Sequence, residues 1–304
     1  MTIAVGARSQ LLYKVQSGLG NAATGNYTKM KFMTHSLKPD RGTVESATLR
    51  SDRQVADYRL TTKSWGGDIE VELCDTDHED LISSLMFNTW ATDTITIGTA
   101  PQYLTLEDGA LDIGQYSKMV DGVVSQARFR FSPEDIAKVT FSMVGTTFTQ
   151  AQSSAGGTPV AASNKQPFDS LNAALYENTD ETGSEIAIIT SLDFTVDNGA
   201  KPLYAIGSPN AVAIEFGRGR VSGSFTAFYQ DATYIDRFLA ETEAAIILNL
   251  TDPDSNSWEF RMNRVKITSA EKPVQNEQSR LVTCNFMALL PTSGSASTLQ
   301  ITRN

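Results

Sequence analysis

Cysteine and histidine are scarce, with two of each in 304 residues. Cys74 and Cys284 lie far apart in segments that read as strands, and they form no CxxC pair, so reduced, partly buried thiols are expected rather than a disulfide. His35 and His78 have no second His or Cys at metal-ligand spacing, which speaks against zinc. No apolar run approaches the roughly 18 to 20 residues that cross a bilayer as a helix. The start, Met1-Thr2-Ile3-Ala4-Val5-Gly6, lacks the basic segment and apolar core of a signal peptide. Membrane insertion is therefore not expected, and synthesis in a cytoplasm is. Basic residues are also short: 25 Lys and Arg against 35 Asp and Glu leave a formal net charge of −10. That balance argues against a surface that wraps phosphates, though not against one past which DNA slides.

Catalytic and ligand motifs are missing as well. No GxSxG, HExxH or P-loop occurs. The run Asp75-Thr76-Asp77-His78-Glu79-Asp80 suits a cation less well than a helix start, where acids complement the helix dipole. Asp252-Pro253-Asp254-Ser255-Asn256 begins like a calcium loop, but Ser257 stands at its sixth position and Asn263 at its twelfth, so a hairpin turn is expected. Gly217-Arg218-Gly219-Arg220 lacks the third glycine of a dinucleotide fingerprint and enters a strand. No catalytic residue, metal ligand or cofactor is expected, and the chain does not read as an enzyme.

What is present is a globular composition, 40% hydrophobic and 20% charged, in which each half can bury a core. The halves follow one pattern, a strand running into a short helix and then a long hairpin. Gly67 to Cys74 alternates cleanly, with Ile69, Val71 and Leu73 on one face and Asp68, Glu70 and Glu72 on the other. A helix follows through Leu81, Ile82, Leu85 and Met86. Val123 to Phe131 and Val139 to Met143 then alternate around the turn Ser132-Pro133-Glu134-Asp135. In the second half Val221 to Tyr229 is the strand, Ile235, Phe238 and Leu239 mark the helix, and Trp258 to Ile267 with Leu281 to Leu290 form the hairpin. Asp77 and Asp231 fall at matching positions and read as N-caps. The fold class is mainly β with short helices, in two tandem similar modules. Module one spans 1–150 and module two 166–292, joined by a Gly-, Ser- and Thr-rich flexible linker at 151–165 and followed by a flexible arm at 293–304. Arg50, Asp52, Arg53, Asp57 and Arg59 form a mixed-charge stretch without apolar period. In a monomer it is a solvated loop; in an assembly its interleaved charges suit a polar contact between subunits.

Leu49-Arg50-Ser51-Asp52-Arg53-Gln54-Val55, then Gly66-Gly67-Asp68-Ile69 and the Asp-rich helix start, resemble the tail tube proteins of long-tailed, non-contractile bacteriophages. Tyr103-Leu104-Thr105-Leu106-Glu107, Tyr116 to Gly122 and Phe141-Ser142-Met143-Val144-Gly145 resemble the remainder of that family's first module. Thr190 to Asn198, Val221-Ser222-Gly223 and Cys284 to Leu289 resemble its second. The resemblance implies β-sandwich or barrel-forming tail-tube modules whose sheet edges are paired by neighbours. It also implies a siphovirus major tail protein that self-assembles as stacked rings, each a homotrimer imitating a hexamer. A tape measure protein would lie inside, tail-tip and tail-terminator proteins at the ends, and genomic DNA would pass through during ejection without specific binding. An acidic bore would repel phosphate, and Asp68, Glu70 and Glu72 are its candidate lining. Alternatively these acids face outward or pair with Arg128 and Arg130. The competing reading is a β-rich tail-tip or surface module that binds a host receptor or glycan. That would call for aromatics in one concave patch, whereas Trp65, Trp90 and Trp258 are scattered, as suits separate cores and joints.

Overall fold

The computed structural model describes residues 3–52, 54–133, 135–170, 174–176, 189–274, 279–292 and 297–303. A 310 turn at Gly6–Arg8 leads into β1 (Ser9–Val15), β2 (Thr28–Lys29), β3 (Thr34–His35), β4 (Lys38–Glu45) and β5 (Tyr58–Glu72). Helix α1 (Glu79–Met86) precedes β6 (Thr94–Thr96), β7 (Leu104–Ala110), β8 (Gln115–Phe131), β9 (Lys138–Gly145) and β10 (Thr147–Ala151). Next come β11 (Ala174–Tyr176), β12 (Ile189–Asp197), β13 (Lys201–Leu203), β14 (Ala213–Glu215) and β15 (Arg220–Phe228). Helix α2 (Thr233–Leu239), β16 (Glu243–Thr251), β17 (Ser257–Glu271), β18 (Leu281–Ala288) and β19 (Gln300–Arg303) complete the chain. The fold is mainly β with two short helices among the described residues.

Strands β4, β5, β9, β8, β12, β15, β18, β17 and β16 lie side by side in that order, each antiparallel to its neighbour. Alternation along them explains the sheet's two faces. Ile69 and Val71 of β5, Val139 and Phe141 of β9, Ala127 and Phe129 of β8, Phe194 and Val196 of β12, and Phe225 of β15 all point into one buried cluster. Residues of the other parity stay polar. The joint between the halves is part of this sheet, because β12 pairs with β8 from Leu192 opposite Phe131 to Asp197 opposite Gln126. Across it Phe129 and Phe194 stack with ring centroids 4.6 Å apart, and Phe260 of β17 packs edge-on against both. Such ring pairs add about 0.5–1.5 kcal/mol each beyond the area they bury. The expected separate cores are thus replaced by a continuous one. Trp258 shows the same continuity: it lies 5.7 Å from Trp90, and its indole N–H donates to Asp75 Oδ1 at 3.0 Å.

Helix α1 falls where its apolar spacing places it, with Leu81, Ile82, Leu85 and Met86 buried. Its N-cap is His78, with no side-chain cap, so the expected capping by Asp77 is not made. The Asp77 carboxylate instead holds Lys31 Nζ at 2.7 Å and the backbone and hydroxyl of Ser163 at 2.8 Å. In α2 the N-cap is Ala232, again without a side-chain cap, so Asp231 lies one residue ahead of the expected position, where it accepts from the Thr233 N–H at 2.9 Å. In α2 the buried residue is Tyr234, whereas Phe238 and Leu239 are exposed.

The segment 151–165, expected to be a flexible linker, is laid along the first half. Buried Glu107 accepts from the Ser154 hydroxyl and the Ala155 N–H, both at 2.5 Å, while the Tyr27 N–H donates to the Gly156 carbonyl and the Tyr27 carbonyl accepts from the Val160 N–H. Its small polar residues leave backbone groups free to be satisfied in this way. The terminal arm also departs from the flexible expectation. β19 inserts between β17 and β6, with Ile301 opposite both Phe260 and Ile95 and fully buried. Arg303 closes that edge, lying 4.9 Å over the Trp90 ring and bonding Glu79, Asp93 and the Thr92 carbonyl. Residues 293–296 and 304 lie outside the described residues.

Candidate functional site

The uncovered face of the central sheet gathers the polar residues of both halves. Asp68, Glu70 and Glu72 of β5 stand opposite Ser142, Thr140 and Lys138 of β9. On the next strand Gln126, Arg128 and Arg130 of β8 oppose the same three β9 residues. β12 then brings Asp197, Thr195 and Asp193 opposite Gln126, Arg128 and Arg130. The bases of β8 therefore lie between the acids of β12 on one side and, across the mostly neutral β9, those of β5 on the other.

The expected acidic lining is only part of this arrangement. Arg130 Nη2 lies 3.3 Å from Glu70 Oε1 and donates to the Thr140 hydroxyl at 2.8 Å. Arg128 Nη2 is held 3.2 Å from Asp193 Oδ2. Asp68 accepts from the Ser142 hydroxyl at 2.6 Å. Glu72 has Lys138 as its cross-strand neighbour, whose ammonium is bound by Asp135 at 2.9 Å. That lysine holds the Asp135 carboxyl below its usual range. Pairing with Arg130, one of the alternatives open from sequence, is thus found for Glu70, while Arg128 turns to Asp193 instead. The sequence shows the alternation that exposes Asp193 and Asp197 but not that β12 is the neighbour of β8. That pairing is between residues about sixty positions apart.

Beyond β12 the middle of the face is uncharged, while Arg220 of β15, opposite Asp197, and Lys266 and Glu271 of β17 carry charge at its margins. Ser222, Ser224 and Thr226 of β15 oppose Met287, Asn285 and Thr283 of β18, and Asn285 donates to Ser269 of β17 at 2.7 Å. Hydroxyls and amides dominate there. The polar face runs across both halves, with its charge densest on β5, β8 and β12.

The mixed-charge stretch forms the end of the β4–β5 hairpin. Arg50 and Asp52 pair at 2.7 Å, and Arg59 and Asp57 at 2.8 Å, all on exposed side chains. The Arg50 hydrogen bond lowers the Asp52 pKa from its ordinary value. Arg53 lies outside the described residues. Beside these two local ion pairs the hairpin exposes apolar side chains: Val44, Leu49, Val55, Tyr58 and Leu60, Leu49 at 98%. These residues carried no periodic signal because the hairpin has no buried face to impose one.

Burial pushes the Cys74 and Cys284 thiols, both free, up to about 11. No group of three or more His, Cys, Asp or Glu suited to a metal ion occurs among the described residues. No helix among them is long and apolar enough to cross a membrane. The sheet offers a broad polar face on which Arg128, Arg130 and Lys138 are paired with carboxylates, backed by the buried core.

No curated protein matches the chain. A family model described as phage tail tube protein matches residues 6–288, which takes in the whole central sheet and the β4–β5 hairpin. The chain belongs to the phage tail tube protein family.

Proposed function

We propose that the chain is the major tail tube subunit of a siphovirus-like virion, made in the host cytoplasm and polymerised into stacked rings that conduct DNA during ejection. Two modules, 1–150 and 166–292, joined through 151–165, give each chain two places in a ring, so three chains close a ring that imitates a hexamer. The observation that carries this is the register of two three-stranded ladders. Gly67 opposes Met143 and Gly223 opposes Phe286. From those positions β5–β9–β8 and β15–β18–β17 run in step, and each has one extra residue at the same place, Ser125 in β8 and Thr268 in β17. Each glycine is also crowded by backbone: an added Cβ would lie 2.5 Å from the Ser36 carbonyl at Gly67 and 2.3 Å from the Asp193 carbonyl at Gly223. Shared bulges and close approaches are what a duplicated module would keep.

The wet sheet face, including Asp68, Glu70 and Glu72, is the bore in this reading. Its cations are held by carboxylates, so they present little to phosphate, while the net charge of −10 repels DNA at longer range. The β4–β5 hairpin, with Arg50, Asp52, Arg53, Asp57 and Arg59 around exposed apolar residues, reaches the neighbouring ring. A tape measure protein occupies the bore before DNA does, and tail-tip and tail-terminator proteins bound the tube. Negative-stain microscopy of the concentrated protein, with and without preformed tail tips as seeds, tests this. Hollow tubes are expected; compact monomers that persist in the presence of seeds would refute it.

A further inference from the structure

The register just described also identifies the edges through which copies of this chain join, an inference that rests on the tube-subunit reading. Inside the chain, the joint between halves is made by β8 and β12: Gln126, Ala127 and Arg128 oppose Asp197, Val196 and Thr195. The ladder positions that correspond to β8 in the second half are Ser269, Ala270 and Glu271 of β17. Beyond Lys266 these residues pair with β18 on one side and have no ladder partner on the other, among the described residues. The strand that corresponds to β12 in the first half is the β3–β4 segment. Asp193 opposes Ser224 on β15, and Ser36 donates to Asp68 on β5; Asp197 opposes Arg220, and Asp40 opposes Ser64. The outer edge of residues 36–40 likewise has no ladder partner among the described residues.

We infer that residues 269–271 of one copy pair antiparallel with residues 38–40 of a second copy, in the register that β8 and β12 use within the chain. Ser269 then opposes Asp40, Ala270 opposes Pro39, and Glu271 opposes Lys38. The side-chain chemistry is complementary. Glu271 and Lys38 are both exposed and bring opposite charges to one cross-strand pair on the wet face. On the other face Ala270 and Leu37 already pack half-buried against the core, as Ala127 and Phe194 do more deeply at the internal joint. The contact is heterologous, one edge against a different edge, and repeats around a ring until it closes.

Pro39 makes this joint weaker than the internal one. Ser36 directs its N–H to Asp68, so by strand alternation the nitrogen of residue 39 faces the open edge. Proline has no donor there, and one ladder bond is missing. An edge of this kind resists indiscriminate strand pairing and requires the matched charges of the correct partner.

The test uses the full chain assembled on tail-tip seeds. Asp40→Cys combined with Ser269→Cys places thiols on opposed strands, while native Cys74 and Cys284 are buried away from oxidation. Mild oxidation of assembled tubes should yield covalent oligomers up to a closed ring, and neither single cysteine variant should do so. Independently, Lys38→Glu or Glu271→Lys alone should raise the concentration needed for assembly about tenfold, and the two changes together should restore it. Wild-type tubes whose double-cysteine variant gives no covalent ring, or whose charge swap gives no rescue, would overturn the edge pairing and leave the tube reading intact. A wild-type chain that never assembles on seeds would overturn both.

Discussion

Arg130 and Arg128 sit in the middle of the wet face, and what they can do depends on two carboxylates. With Glu70 and Asp193 in place, each guanidinium is occupied, and a passing phosphate would have to displace a neighbour already held at 3.3 or 3.2 Å. Glu70→Gln with Asp193→Asn keeps shape and removes the competitors. Tubes of this variant should still form but retain duplex DNA at low salt, with binding that falls steeply between about 50 and 200 mM salt. Co-sedimentation of DNA with tubes measures this, and unchanged retention would show that pairing is not what keeps the face from sticking. A second residue makes stability depend on pH. His78 is fully buried, with Nδ1 3.5 Å from the Cys74 N–H and Nε2 3.2 Å from the Lys31 carbonyl, so its single proton belongs on Nε2. Burial pushes the imidazole pKa below its ordinary value. The unfolded chain therefore binds a proton that the folded chain refuses: the contribution is complete above about pH 6.5 and is lost as pH falls below it. Thermal unfolding at about pH 7.5 and 5.5 should show a smaller difference in His78→Gln than in wild type, whatever the variant's absolute stability.

Among the elements, those with a buried face were legible and those without were not. β9, β17, β18 and the later parts of β5 and β8 alternate because the core selects every second residue, and the sequence marks these stretches but not the starts of β5 and β8. Helix α1 is legible for the same reason. β4 is invisible because nearly all its residues are exposed, and β19 because four residues are too few to show a period. β19 nonetheless closes the core. Ile301 is fully buried between Phe260 and Ile95, so Ile301→Ala should cost about 2–5 kcal/mol, a loss readable from the denaturation midpoint. A cost near zero would mean that the strand only decorates the edge. The segment 151–165 teaches a related point: its composition is that of a linker, yet one buried acid, Glu107, fixes it through two short hydrogen bonds. Composition reports what a segment cannot pack, not what it can be held by.

For the whole molecule, the mainly β character with short helices is legible in sequence, while the β8–β12 joint is not, since nothing local encodes which distant strand becomes a neighbour. That joint decides how the chain works. It fuses the halves into one sheet with one core, so neither half presents its own free edge at the centre, and the edges that remain lie at opposite ends of the sheet. In the proposed tube, a continuous polar face between two complementary edges would serve as a segment of the ring wall. Cryo-electron microscopy of seeded tubes, reconstructed to the level of strands, tests this most directly. The account predicts three chains per ring, with β17 of one chain against β4 of the next and Asp68, Glu70, Arg128 and Arg130 facing the bore; six chains per ring, or that face on the outside of the tube, would contradict it.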